Sequence, residues 1–228
     1  MKTTLYFIEL CKDDDFIRYE CFIRLLSSER QLQIHKFRYD IDKKLSLFSD
    51  LFVRYLVCKA FDLNNANLRF GKNDFGKPYL VGFPDFHYNI SHTRNAIAIG
   101  ICEIPIGVDI EKNKFADLEI ATRFFCKHEL NYIISGNEEQ ERLFYQIWTK
   151  KEAYIKWLGR GLSIPLTTFD VTDAGIEWLL NTIEINDYLI SVCSIARFDK
   201  MEFFRLNENQ VSEILAEFFK IDYDTVST

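Results

Sequence analysis

The chain has 228 residues, of which 48% are hydrophobic and 27% charged, and it carries a net charge of −6. This composition suits a globular protein with a sizeable core and argues against disorder, while the negative balance argues against a protein that wraps nucleic acid through phosphate contacts. Local basic clusters can still hold a small polyanion. The 21 Phe and 11 Tyr predict an aromatic-rich interior. Six Cys, at 11, 21, 58, 102, 126 and 193, show no Cys-x-x-Cys spacing and read as reduced thiols. No apolar run reaches bilayer length, and Glu9 interrupts the first apolar stretch, so a cytoplasmic protein is expected.

In chain order, Thr3 to Leu10 predicts a strand, and Ser28 caps a short helix running to about Phe37. From Lys43 to Phe61, Leu45, Phe48, Leu51, Phe52, Tyr55 and Leu56 recur at helical spacing. The turn-rich stretch from Gly71 to Pro78 leads into strands at Tyr79–Val81, His87–Ser91, Ala96–Ile101 and Ile106–Glu111. Helices at Leu118–Phe125 and Lys127–Ser135 precede a long one from Glu139 to Leu158, which Gly159 and Gly161 stop. Strands near Thr167–Thr172, Ile176–Leu180 and Tyr188–Ala196 and a helix around Gln210–Lys220 complete the reading. Each half runs from a long helix into strands, the outline of a weak internal duplication.

The chemistry concentrates in two segments. On a strand, Asp109 and Glu111 project to one side while Val108 and Ile110 turn into a core. On a helix, Glu152 and Lys156 share one stripe. If that helix crosses the strand, three carboxylates and an ammonium converge. Confined carboxylates raise one another's pKa unless a cation neutralises them, and hard oxygen ligands suit Mg²⁺. Taken singly, these features also read as solvated strand charges and an exposed helical ion pair.

Four motifs, in this order, carry a family resemblance: Phe75-Gly76-Lys77-Pro78, Tyr88-Asn89-Ile90-Ser91-His92, Gly107-Val108-Asp109-Ile110-Glu111-Lys112, and Trp148-Thr149-Lys150-Lys151-Glu152-Ala153-Tyr154-Ile155-Lys156. Together they resemble the 4′-phosphopantetheinyl transferases, over about Ser28 to Phe169. The length is similar to the two-lobed, surfactin-synthetase-activator type that serves peptide and polyketide synthases. The resemblance implies an α+β fold of two similar subdomains, 1–103 and 104–228, with coenzyme A in the cleft between them. It implies transfer of phosphopantetheine from coenzyme A to a serine of an apo acyl or peptidyl carrier protein, releasing 3′,5′-ADP, by a monomer with no nucleic-acid or membrane partner.

By the same resemblance, Asp109, Glu111 and Glu152 bind Mg²⁺, Lys156 meets the pyrophosphate, and Glu129 is a candidate general base. Ser91, His92 and Lys77 touch phosphates, and Phe75, Gly76 and Pro78 frame the adenine. Arg30 and Lys36 are the nearest matches for the 3′-phosphate, with Lys43 or Lys44 as a neighbouring substitute, since Gln33 and Leu45 stand where basic residues are expected. The segment Phe115–Ile134, with Phe124, Phe125, Leu130 and Tyr132, offers a carrier platform. Two other readings stay open: a Mg²⁺-dependent pyrophosphate-cleaving hydrolase or nucleotidyl transferase, and a noncatalytic coenzyme A or carrier-binding module.

Overall fold

A computed structural model describes residues 2–13, 15–113 and 118–222. Its strands and helices, in chain order, are β1 (Thr4–Glu9), α1 (Glu20–Ile23), α2 (Ser28–Lys36), α3 (Asp40–Phe61), β2 (Phe70–Lys72), β3 (Pro78–Leu80), β4 (His87–Thr93), β5 (Ala96–Cys102) and β6 (Gly107–Lys112). There follow α4 (Leu118–Phe124), α5 (Lys127–Ser135), α6 (Gln140–Leu158), α7 (Ala174–Glu177), β7 (Leu180–Ile185), β8 (Tyr188–Cys193), β9 (Glu202–Asn207) and α8 (Glu208–Phe219). Helix and strand are thus mixed, as expected for an α+β chain. The chain divides into two compact units, one of Met1–Leu5, Phe70–Thr93 and Ala98–Phe203, the other of Tyr6–Arg69, Arg94–Ile97 and Phe204–Thr228.

In the second of these units α3 is the spine. It packs on α2 and α8, and its Phe48 takes the Tyr19 ring edge-on at 5.0 Å. The α2 cap is Ser27 rather than Ser28, because the Ser27 hydroxyl accepts from the Arg30 amide. Lys44 is fully buried on α3, bonded to Asp13 and to Glu208 at 3.1 Å, while Tyr19 also donates to Glu208 at 2.6 Å.

The first unit contains the antiparallel sheet β6-β8-β7, in which Asp109 pairs with Ser191 and Glu111 with Leu189. Helix α6 lies on the face of that sheet that carries Gly107, Asp109 and Glu111. Thr149 of α6 bonds Ser191 at 2.8 Å, and Ser191 bonds Thr182 of β7 at 2.9 Å. Gly107 permits this approach, since a Cβ there would stand 2.0 Å from the Ala153 carbonyl and 2.4 Å from the Trp157 amide. An aromatic cluster of Phe125, Phe144 and Trp148 fixes α5 and α4 against α6.

Helix α6 ends at Gly159, which has φ +66° and caps it in the left-handed region. Two expected strands do not form. Leu166–Thr168 is a 3₁₀ turn and Ala174–Glu177 a helical turn, and the strand begins only at Leu180. Side chains capture the backbone there: Lys151 draws the carbonyls of Leu166 and Phe169, Asp170 takes the Thr172 amide and Asp173 that of Gly175. Local side-chain bonds of this kind compete with a strand ladder and override β-propensity. The spacing also did not reveal α1, β2 or β9, which are short or lack alternation. Among the described residues, no helix is long and apolar enough to cross a membrane.

Candidate active site

Strand β6, strand β4 and helix α6 bring together Asp109, Ser91 and Lys156. The Lys156 ammonium donates to Asp109 Oδ1 at 2.7 Å and to Ser91 Oγ at 2.8 Å, and the Ser91 hydroxyl donates to Asp109 Oδ1 at 2.8 Å. Asp109 is 5% exposed, and its second oxygen, Oδ2, is buried with no hydrogen-bond partner. Burial pushes the Asp109 carboxyl above the usual range, with Lys156 and Ser91 opposing. Glu152 lies one helical turn before Lys156. Its carboxyl is raised too, first by burial and then by Asp109, with Lys156 pulling the other way and Glu111 adding to the rise. Glu111 accepts from Thr93 of β4 at 3.0 Å.

A cavity of about 260 Å³ opens beside this group, lined by Phe75, Gly76, Lys77, Pro78, Asn89, Glu152, Ile155, Lys156, Gly159 and Gly161. Phe75 is 54% exposed and Gly76 has φ +86°, a conformation that favours glycine and lets a ligand approach the backbone. Asn89 closes the floor by accepting from the Val108 amide at 2.7 Å. The orphaned Asp109 oxygen and the raised carboxyls of Asp109 and Glu152 are what an acidic site short of positive charge looks like, and all-oxygen donors fit a hard divalent cation.

Other predicted residues are placed differently. Glu129 is 0% exposed, and Lys151, also 0% exposed, bonds it at 2.8 Å. Its two oxygens accept from the amides of Cys126 and Val171, both at 2.9 Å. Its carboxylate therefore caps α5 and neutralises Lys151. Cys126, Glu129 and Asp170 place possible metal-ligand atoms within 4.8 Å of one another, but that proximity follows from the same cap. Lys44, held between Asp13 and Glu208, is withdrawn from phosphate recognition. Burial without a facing carboxylate lowers the Lys77 pKa to about 8, and its ammonium donates to the carbonyls of Ile106 at 3.0 Å and Trp157 at 3.2 Å.

Arg30 bonds Gln33 and the Ser46 carbonyl and approaches Asp50, and Lys36 is exposed. His92 is exposed on β4, where strand alternation turns it away from the face of Ser91. In the suggested carrier platform, Phe124, Tyr132 and Ile134 are exposed whereas Phe125 is buried. Phe115 lies outside the described residues. Asn73, Asn89 and Thr93 were not singled out by sequence; Asn89 stood inside a quoted motif and Asn73 inside a recognised turn, whereas Thr93 shows itself only through its bond to Glu111.

Both parts of the chain are similar to known proteins. The model of the 4′-phosphopantetheinyl transferase superfamily matches residues 105–193, and that of the 4′-phosphopantetheinyl transferase N-terminal region matches residues 15–102. The chain is 37% identical over 153 residues to the 4′-phosphopantetheinyl transferase Sfp of Bacillus subtilis, a stretch covering 67% of this chain and 68% of that relative. It is 35% identical over 145 residues to the 4′-phosphopantetheinyl transferase gsp of Aneurinibacillus migulanus, covering 63% and 60% of the two chains. It is also 31% identical over 172 residues to the mouse L-aminoadipate-semialdehyde dehydrogenase-phosphopantetheinyl transferase, covering 68% of this chain and 56% of that one. These matches place the chain among group-transferring enzymes. This chain belongs to the 4′-phosphopantetheinyl transferase family.

Proposed function

We propose that this protein transfers the 4′-phosphopantetheine group of coenzyme A to a serine hydroxyl of an apo acyl or peptidyl carrier protein and releases 3′,5′-ADP. The observation that carries the reading is the Asp109–Ser91–Lys156 triangle, with its unpartnered carboxylate oxygen, beside a cavity that Glu152 lines. Asp109, Glu111 and Glu152 would hold Mg²⁺, which supplies charge neutralisation to a diphosphate. Lys156 offers its ammonium to the same diphosphate, and Ser91 orients both Lys156 and Asp109.

Phosphoryl transfer depends chiefly on positioning and on charge stabilisation, which such a fixed cluster provides. Glu152 lines the cavity beside Lys156, whereas Glu129 is buried against Lys151, so Glu152 is the carboxylate placed to take a serine proton. The loop Phe75–Pro78 frames the adenine, with the exposed Phe75 ring available for stacking. Arg30 and Lys36 are the candidates for the 3′-phosphate. Lobes of 1–103 and 104–228 follow the two family matches, which meet between residues 102 and 105, whereas the compact units group Phe70–Thr93 with Ala98–Phe203.

Incubation with a fluorescent coenzyme A, Mg²⁺ and an apo carrier protein tests the reading. Label on the carrier serine is expected. Nucleotide release without label would indicate a pyrophosphate-cleaving hydrolase, and binding alone a noncatalytic module; either would overturn the proposal.

A further inference from the structure

The loop before β3 is tied to the end of α6 by a residue that the proposed chemistry does not use. Asn73 Oδ1 accepts from the amides of Phe75 at 3.0 Å and Lys77 at 2.9 Å, and the Asn73 backbone closes the turn by bonding the Lys77 carbonyl and the Gly76 amide. Its other amide atom, Nδ2, donates to the carbonyl of Gly159 at 2.8 Å. Gly159 is the left-handed cap of α6, where a Cβ would lie 3.1 Å from Lys77 and 3.3 Å from Asn73 Nδ2. Lys77 adds a second tie through Ile106 and Trp157. One face of the cavity is therefore the Phe75–Pro78 loop and the other is α6, with Glu152 and Lys156.

We infer that Asn73 is a positioning residue for coenzyme A: its Nδ2–H bond to Gly159 holds the loop at a fixed distance from Glu152 and Lys156. The adenine and the diphosphate of the cofactor are then held at a set separation. The inference rests on the transferase reading and adds to it a residue that touches neither the reacting atoms nor the metal ligands. The two ends of the Asn73 amide separate the roles. Oδ1 makes the turn, as Asn side chains commonly do, whereas Nδ2 alone makes the tie. Asn73→Asp keeps the acceptor and replaces the donor by an oxygen that faces the Gly159 carbonyl. Asn73→Ala removes both.

The test compares the wild type, Asn73→Asp and Asn73→Ala for equilibrium binding of coenzyme A, for carrier labelling, and for hydrogen exchange of the Phe75 and Lys77 amides. Asn73→Asp is expected to keep amide protection yet bind coenzyme A about 5- to 20-fold more weakly, the effect of one polar contact turned repulsive. The KM for coenzyme A should rise by a similar factor while the KM for the carrier stays within twofold. Asn73→Ala should lose affinity and protection together. Unchanged coenzyme A affinity in Asn73→Asp would overturn the inference, and so would a fall in kcat with affinity intact. A wild type that binds coenzyme A but labels no carrier would sink the transferase reading instead, leaving the binding arms to judge the tie.

Discussion

Helix α6 carries two lysines five residues apart that meet two carboxylates in opposite ways. Lys151 is fully buried with three acceptors, the Glu129 carboxylate and the carbonyls of Leu166 and Phe169, and it lies 4.2 Å from the centre of the Phe169 ring. Its partner Glu129 is as fully engaged. Lys156 is partly exposed, shares Asp109 with Ser91, and leaves Asp109 Oδ2 buried and unpartnered. Saturation marks the first pair as a brace between α6, the start of α5 and the segment that follows α6. Incomplete satisfaction marks the second as a place where a charged ligand belongs, since buried polar groups in folded proteins are ordinarily bonded.

The largest expected effect tests the incomplete pair. Asp109→Asn should lower the carrier-labelling rate by about 100- to 1000-fold, the scale for removing one charge-positioning group from an active site. Its thermal midpoint should stay close to that of the wild type, because the change removes a buried, underbonded charge. A large drop in midpoint would place Asp109 with the braces instead. Next in size, Glu129→Ala should cost about 3–5 kcal/mol in denaturant unfolding, the usual result of leaving one member of a buried pair uncompensated. Unchanged stability together with lost turnover would restore Glu129 as a base and erase the contrast between the pairs.

The smallest effect concerns Lys77, a half-buried lysine with carbonyls instead of a carboxylate for partners. Its folded pKa of about 8 lies below the ordinary 10.5 because burial disfavours the charged form. Between those two pH values the unfolded chain binds more protons than the folded one, so the Lys77 contribution to stability rises with pH across that window. Urea unfolding of the wild type and Lys77→Met from pH 7.5 to 10.5 should show a steeper upward trend in the wild type. Parallel profiles would mean that the ammonium is solvated.

The difference between the two α6 pairs was not legible from residue types. Lys150-Lys151-Glu152 and Glu152–Lys156 look alike in sequence, where Glu129 stood as the candidate base and Glu152 as a metal ligand. Helical phase places Glu152 and Lys156 on one stripe, but which stripe faces the cavity depends on the side of the sheet that α6 covers. Gly107 decides that contact by admitting the helix backbone. Likewise Lys44 and Arg30 both stood as candidate phosphate contacts, and only the arrival of Asp13 and Glu208 from distant parts of the chain shows that Lys44 is internal.

Sequence alone determined the elements whose signals are local: the spacing that makes α3 and α6 helical, the glycines that end α6, and the strand alternation that puts Asp109 and Glu111 on one face. Together with the four ordered motifs, these define the family and the acidic centre. Tertiary structure decided which charges are spent on the fold and which remain for a ligand, because satisfaction depends on partners from remote segments. Glu129 and Lys44 meet theirs in the interior, whereas Asp109 keeps an oxygen without one, and that inequality has no counterpart in the order of residues.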